Sequence, residues 1–182
     1  QQLVVAFERL KEDVEATGFL QSPARVNHAF VLGWTSTHGA HTLQADARHD
    51  RNSVFGAATT GRLGWRMALG PQWALRANAG TAFRAPSFNE LYFPGFGVST
   101  VQAERSRNLE LGLNWQQANT DASVTVYRNQ VRGLIGFEAD SALCPADPAY
   151  SFGCARNIGR ARMQGATLAS SHRVGAWRWG GT

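Results

Sequence analysis

The sequence predicts an all-β chain, an antiparallel up-and-down meander of roughly nine strands that forms part of the wall of a transmembrane β-barrel. Three observations predict it: apolar and polar residues alternate along short segments, short and long links between these segments take turns, and the tryptophans lie beside the short links. Successive side chains of a strand point to opposite faces, and a barrel wall needs one face for lipid and one for the lumen. The periodicity therefore indicates a two-faced sheet.

The composition of the 182 residues argues against helices and against nucleic acid as a partner. Residues are 43% hydrophobic and 17% charged, and no apolar run approaches the roughly 18 residues that a transmembrane helix needs. Gly reaches 19 residues and aromatics 10%, which favours many short strands. The net charge is +5, but the arginines are scattered at one or two per segment. Without a basic cluster beside stacking aromatics, we expect no nucleic-acid binding.

Five segments show the alternation most clearly, and in each an apolar row of side chains lies on one side of the strand and a polar row on the other. The apolar rows run, in chain order, from Val26 to Trp34, Leu43 to Ala47, Leu63 to Leu69, Trp73 to Phe83 and Leu109 to Trp115. The polar rows are expected to line the lumen, through residues such as Arg62, Arg66, Arg76, Asn78, Glu110 and Asn114.

The alternation weakens in two later segments, Ser123 to Val131 and Ala161 to Ser170. Apolar and polar residues mix on both rows there, which leaves the register of these strands open. A β-bulge in either segment is one explanation.

The links between the strands alternate in length. The short links are Ser36 to Ala40, Leu69 to Gln72, Gln117 to Asp121 and Arg173 to Ala176. The long or polar links are Ala16 to Ala24, Asp50 to Gly56, Arg84 to Ser106 and Glu138 to Asn157. Outer-membrane barrels have short periplasmic turns and long external loops, whereas a soluble β-sandwich has no physical reason to sort its links in this way.

The six tryptophans lie close to the short links, which predicts one girdle at a membrane interface. The indole ring is apolar with a single polar N–H, so it prefers the boundary between lipid and water. The alternative is that these rings are core aromatics of a soluble sandwich. The residues concerned are Trp34, Trp65, Trp73, Trp115, Trp177 and Trp179.

The sequence contains no convincing catalytic or metal-binding constellation. The histidines are spread over different strands and turns, and the nearest pair, His38 and His41, has no Cys or carboxylate at ligand spacing. Motifs for a serine nucleophile, a phosphate-binding loop, a zinc protease or paired catalytic carboxylates are missing. We therefore expect no enzyme, no cofactor and no metal site.

The two cysteines, Cys144 and Cys154, lie in the same long link and indicate an intraloop disulfide. Such a bond would stabilise a loop of roughly ten residues by about 2–3 kcal/mol and would place it in an oxidising compartment. The competing interpretation is two unpaired thiols in a cytosolic protein.

The longest link, Arg84 to Ser106, is rich in aromatic residues for an exposed loop. Tyr92, Phe93 and Phe96 are candidate substrate-facing residues, because aromatic side chains pack against large, partly apolar solutes. Packing onto neighbouring loops as a lid is the competing interpretation, and it is the commoner fate of such residues.

Several motifs resemble those of one family, the TonB-dependent outer-membrane receptors. The run from Gly80 to Tyr92 reads GTAFRAPSFNELY and resembles a stretch typical of that family, as does ERS at 104–106 followed by LELG at 109–112. The segments 127–135 and 157–165 are similar to the next two strands of its members. A particular resemblance to cobalamin (vitamin B12) receptors within this family rests on six residues upstream of Gly80: Arg48, Asp50, Asn52, Ser53, Phe55 and Gly56.

This similarity is strongest from Arg48 to Gly165, and the first forty residues match only in pattern. It implies a barrel of about 22 strands, of which residues 1–182 form a partial barrel domain with no plug domain. It also implies that the intact receptor captures a large, scarce nutrient and passes it inward when the TonB complex rearranges the plug. Cobalamin is the first expectation for that nutrient and an iron siderophore the second.

Three other classes of protein remain open from the residues alone. A passive porin has the same alternation without a plug, a soluble all-β binding module buries its apolar rows, and an enzyme barrel needs catalytic groups in its lumen. The expected partners are outer-membrane lipid, the TonB complex through the plug, and the nutrient. An isolated set of nine strands would leave two unpaired edges, so we also expect the fragment to self-associate through them.

Overall fold

A computed structural model describes residues 1–15 and 23–182 of the chain. Eleven β-strands and one short α-helix are present in this part. The strands are β1 (Gln2–Asp13), β2 (Ala24–His38), β3 (His41–Asn52), β4 (Gly56–Ala68), β5 (Trp73–Arg84), β6 (Glu104–Gln117), β7 (Thr120–Arg132), β8 (Ile135–Glu138), β9 (Cys154–Asn157), β10 (Arg160–Val174) and β11 (Trp177–Gly181), and the helix is α1 (Phe88–Tyr92). None of the described helices is long and apolar enough to span a bilayer.

Nine of the strands form one sheet in the order β1-β2-β3-β4-β5-β6-β7-β10-β11. Each strand pairs antiparallel with its neighbours, so the predicted up-and-down meander is confirmed. The sheet is open, with β1 and β11 at its edges. Strands β8 and β9 form a separate hairpin, inserted between β7 and β10, that was not predicted.

The register of β6, β7 and β10 is continuous, so the suggested bulges in 123–131 and 161–170 are wrong. Thirteen residues of β7, from Thr120 to Arg132, pair one to one with residues 160–172 of β10. The mixed pattern has another cause: Val124 and Val126 share a face with Arg128, so that face changes from apolar to basic along the strand.

The short links lie at one end of the sheet, as predicted, and the long links lie at the other. Strands β5 and β6 are joined by residues 85–103, and β7 and β10 by 133–159. The link predicted as long from Asp50 to Gly56 has only three residues outside the strands, because Asp50, Arg51 and Asn52 continue the ladder with β4. Most of the predicted link from Ala16 to Ala24 lies outside the described residues.

Three of the short links are two-residue turns that need a left-handed residue at their first position. Gly39 and Gly175 adopt it with φ of 56° and 57°, and Ala118 adopts it with φ of 47°. Glycine has no Cβ to oppose this conformation, whereas alanine is strained in it. These turns join β2 to β3, β6 to β7 and β10 to β11 at the shortest length that a hairpin favours.

The large apolar side chains of the sheet are exposed, and the buried apolar core lies in the long links instead. Leu63 and Leu109 are 65% and 60% exposed. The buried cluster consists of Leu91, Val101, Ile135 and Ala155, with Phe96 and Val98 packed against it. A soluble sandwich would bury its leucine rows between two sheets, so the apolar face of this sheet is built for lipid.

Candidate functional site

One face of the nine-stranded sheet, here called the polar face, carries the hydrophilic side chains that the alternation assigns to a lumen. All six residues expected there, Arg62, Arg66, Arg76, Asn78, Glu110 and Asn114, lie on it. The opposite face, here called the apolar face, carries the leucine rows and all six tryptophans. Trp34, Trp65, Trp73, Trp115, Trp177 and Trp179 all lie toward the short-link end.

Carboxylates hold Arg48 and Arg62 on the polar face, where strands β1 to β4 meet. Arg48 reaches Glu8 on β1 at 2.7 Å and Asp50 on its own strand at 2.9 Å. The Asp50 side chain is almost fully buried and also accepts a 2.7 Å hydrogen bond from Asn27. Arg62 pairs with Asp46 at 3.1 Å. The sheet thus presents polar groups of both signs that are already paired with one another.

Arg76 lies flat across the polar face instead of pointing away from it. Its Nη2 donates a 2.7 Å hydrogen bond to Thr125, which lies two strands away, and Gly112 occupies the position between them. A Cβ on Gly112 would come within 2.5 Å of Arg76 Nε and 3.0 Å of its Cγ. A side chain at position 112 would have to displace this guanidinium, whose buried Nε has no hydrogen-bond partner among the residues that the structure describes.

The link 85–103 starts with a short, well-capped helix, α1. The Ser87 hydroxyl accepts from the Glu90 N–H, and the Glu90 carboxylate accepts from the Ser87 N–H at 2.7 Å, which forms a capping box. Glu90 also pairs with Arg84 at 3.0 Å. Partial burial raises the pKa of Glu90, but the hydrogen bonds from Arg84 and Ser87 outweigh burial and leave this pKa below its usual value.

Arg25 on β2 fastens the beginning of this link from another part of the sheet. Its Nη1 donates to the carbonyl of Pro86 at 2.8 Å, and its guanidinium lies 4.7 Å from the ring centroid of Phe88. Glu12 on β1 binds the other side of the same guanidinium at 2.9 Å. Since β3, β4 and β5 separate β2 from the link, this contact folds the link over the polar face.

Glu104, the first residue of β6, ties the two long links together. It is 9% exposed and accepts hydrogen bonds from Arg84 at 2.6 Å and from the N–H of Ile135 at 2.9 Å. Asn157 makes a second tie, because its side chain bonds both the N–H and the carbonyl of Gln102 at 2.9 Å. Links 85–103 and 133–159 therefore form one structured unit, here called the cap.

The cap also contains the predicted disulfide pair. Cys144 and Cys154 are bonded, with their Cα atoms 5.9 Å apart. Cys154 begins β9 and is 1% exposed, so the bond connects the irregular segment after β8 to the hairpin. Tyr150 extends this connection, since its hydroxyl donates to the carbonyl of Gly97 at 2.8 Å.

The three aromatic residues singled out from the sequence have different places in the cap. Phe96 is half-buried, with its ring 6.3 Å from that of Phe137, and it packs on the core of the cap. Tyr92 and Phe93 are 38% and 42% exposed at the end of α1. The packing interpretation therefore describes Phe96, and the substrate-facing interpretation stays a prediction for Tyr92 and Phe93.

Sequence reasoning missed the polar residues that build the cap, namely Arg25, Glu104 and Asn157. Two of them lie inside the recognised motifs, Glu104 in ERS and Asn157 at the start of NIGRARMQG. Their contacts in and around the cap join residues 20 to 61 positions apart in sequence, so no local spacing marks them.

Comparisons with known proteins agree on the kind of barrel. The family model described as "TonB dependent receptor-like, beta-barrel" matches residues 19–182. The vitamin B12 transporter BtuB of Photobacterium profundum is 30% identical over 133 residues, which are 73% of this chain and 21% of that protein. BtuB of Vibrio vulnificus is 29% identical over 75% of this chain and 22% of its own length. The chain thus spans about a fifth of these curated relatives.

Solved structures of low identity share the fold. The siderophore receptor PirA from Pseudomonas aeruginosa superposes with a TM-score of 0.83 at 21% identity, over 98% of this chain and 37% of that one. The FrpB iron transporter from Neisseria meningitidis gives a TM-score of 0.74 at 17% identity, over 95% of this chain and 30% of that one. Both covered regions contain nearly all of the present sheet.

Proposed function

The chain belongs to the TonB-dependent receptor β-barrel family, and on that premise we propose that its receptor takes up cobalamin across the bacterial outer membrane. The strands described here form part of the barrel wall. The polar face lines the lumen, the apolar face meets the hydrocarbon of the membrane, and the cap lies over the external mouth. The family is one of transport receptors, not of enzymes.

The choice of cobalamin rests on the curated relatives. Vitamin B12 transporters match over about three quarters of the chain, at 29–30% identity. The solved siderophore and iron receptors are less than 25% identical, so their likeness extends only to the fold. A siderophore is accordingly the second candidate.

The cap supplies a surface suited to a large, partly apolar solute. Tyr92 and Phe93 expose rings at the end of α1, and the capping box with Arg84 fixes this helix. A rigid loop loses little conformational entropy on binding. We propose that these two rings touch the nutrient before it enters the lumen, and that a plug domain coupled to TonB then admits it.

The test is equilibrium binding of cyanocobalamin to the complete receptor in detergent. We expect saturable binding, and we expect the double variant Tyr92→Ala/Phe93→Ala to weaken it about tenfold, because each aromatic contact contributes about 0.5–1.5 kcal/mol. Phe7→Ala is the matched control, since Phe7 is 71% exposed on the apolar face and should change nothing.

Three results would contradict parts of this proposal. Binding of a ferric siderophore without binding of cyanocobalamin would overturn the substrate. An equal loss of cyanocobalamin affinity in the Phe7→Ala control would mean that Tyr92 and Phe93 make no specific contact with the nutrient. Cobalamin uptake that persists in cells lacking TonB would indicate passive entry, as through a porin.

A further inference from the structure

Six arginines that are scattered in sequence meet on the apolar face, at the end of the sheet that carries the cap. They belong to β6, β7 and β10, where Arg105, Arg132 and Arg160 form one cross-strand row and Arg107, Gln130 and Arg162 form the next. Arg128 follows between Leu109 and Gln164. All six arginine side chains are exposed. This set is here called the arginine belt: Arg105, Arg107, Arg128, Arg132, Arg160 and Arg162.

The belt carries uncompensated positive charge. Among the described residues, no carboxylate lies within ion-pair distance of any of the six guanidinium groups. The carboxylates of β3, β6 and β7 all lie on the polar face, on the other side of the sheet. Like charges facing one another across strands destabilise a sheet, so the belt needs an anion from outside the chain.

The position of the belt relative to the tryptophans decides which solvent it meets. Arg107 and Trp115 are eight residues apart on β6, or ~27 Å along an extended strand. With the strand tilt of about 40° that is usual in membrane barrels, the belt lies ~21 Å above the tryptophan girdle. The apolar band of such barrels is about 25 Å tall, so the belt lies at the external headgroup level.

A cleft next to the belt offers further donors to an anion. It has a volume of about 180 Å³, and its lining includes Thr59 and Thr81 together with Arg105, Arg107 and Arg132. These side chains share the apolar face. Guanidinium groups bind phosphate oxygens bidentately, and hydroxyl groups donate to the oxygens that remain.

We propose that the arginine belt is a binding site for a phosphorylated lipid of the outer leaflet. The headgroup phosphates lie across the two arginine rows and in the adjoining cleft, while the acyl chains cover Leu109, Leu111 and Val126 below them. The lipid supplies the anion that no described carboxylate supplies to these guanidinium groups. A polyphosphorylated headgroup fits best, because two neighbouring rows carry five of the six guanidinium groups.

The test measures binding of diphosphoryl lipid A to the complete receptor in uncharged detergent, by native mass spectrometry and by titration at two salt concentrations. We expect one tightly held lipid per receptor, with an affinity that falls as salt rises. Arg107→Gln/Arg162→Gln should weaken binding at least tenfold, and replacement of all six arginines by glutamine should abolish it. Monophosphoryl lipid A should bind more weakly than the diphosphoryl form.

The matched control removes the same number of charges from the polar face. Arg173→Gln/Arg178→Gln lies at the short-link end of β10 and β11 and should keep the affinity within about twofold. Tryptophan fluorescence establishes that each variant is folded before it is titrated. Unchanged lipid A binding in the folded Arg107→Gln/Arg162→Gln variant would overturn the proposal. So would equal loss in the control, or a preference for inorganic pyrophosphate or single-stranded DNA over the lipid.

Discussion

On the polar face of the sheet four arginines are held by carboxylates, whereas on the apolar face six arginines of neighbouring strands have no carboxylate partner among the described residues. Arg25, Arg48, Arg62 and Arg84 make the paired set. Both sets belong to the same sheet, so the difference reflects the surroundings of each face. Around these four arginines the polar face balances its own charge, whereas the six arginines of the apolar face depend on the membrane for theirs.

The large side chains of the two faces also differ in their orientation. The apolar face exposes leucines and tryptophans that lipid covers, while the polar face lays long side chains flat over glycines. Arg76 lies over Gly112, and the Tyr127 hydroxyl lies 3.0 Å from the place of a Cβ on Gly165. Flat side chains keep a passage open, whereas protruding ones fill space between acyl chains. Each of the following changes tests one side of this difference.

The largest effect is expected from a charge in the middle of the apolar face. Leu111 is 48% exposed and lies between Ala77 and Val126, ~13 Å along the strand from Trp115. Leu111→Arg should lower the free energy of unfolding by about 2–4 kcal/mol, because a guanidinium there is surrounded by hydrocarbon. The measurement is chemical unfolding of the complete receptor in lipid bilayers.

Asn114→Arg is the control for this change, since Asn114 lies on the polar face of the same strand. It should change the free energy of unfolding by less than about 1 kcal/mol. Equal destabilisation by Leu111→Arg and Asn114→Arg would mean that the two faces meet the same solvent.

The next effect concerns space on the polar face. Gly112→Ala would bring a Cβ within 2.5 Å of Arg76 Nε, so the guanidinium must move and lose its bond to Thr125. We expect a cost of about 1–3 kcal/mol in chemical unfolding. In an Arg76→Ala background the same change should cost almost nothing, and the difference between the two measures the coupling. If Gly112→Ala lowered the free energy of unfolding equally with and without Arg76, contact with the Arg76 side chain would not be the cause.

The sequence was sufficient to predict the two faces, because a period of two is visible within one strand. It could not predict which arginines meet, since Arg107 and Arg162 come from β6 and β10 and are brought together only by the register of β7 between them. The arginines therefore looked scattered, and the change from valine to arginine along β7 looked like a bulge. The hairpin β8–β9 was missed for the same reason: its strands have four residues each and their partners lie in the cap.

The third effect concerns the cap and depends on pH. The pKa of Glu90 lies below its usual value in the folded protein, so the ionised carboxylate stabilises the cap at neutral pH. This contribution is lost as the pH falls through the folded pKa, which is below 4.5. Glu90→Gln should cost about 1 kcal/mol at pH 7, since the lost ion pair with Arg84 is partly exposed. The difference in the free energy of unfolding between Glu90→Gln and the unchanged protein, measured by chemical unfolding, should disappear at acid pH. A difference that grew at acid pH would contradict a lowered pKa of Glu90.

The smallest effect is expected where paired charges meet lumen water. Arg62 and Asp46 lie 3.1 Å apart, and their side chains are 57% and 33% exposed. Water screens such a pair, so a double-mutant cycle of Arg62→Gln and Asp46→Asn should give a coupling energy of about 0.2–1 kcal/mol, falling as salt rises. A coupling well above that range, unchanged by salt, would mean that the polar face is dry. A pair of this kind therefore contributes little to stability, and its consequence is that a solute in the lumen meets Arg62 and Asp46 already paired with each other.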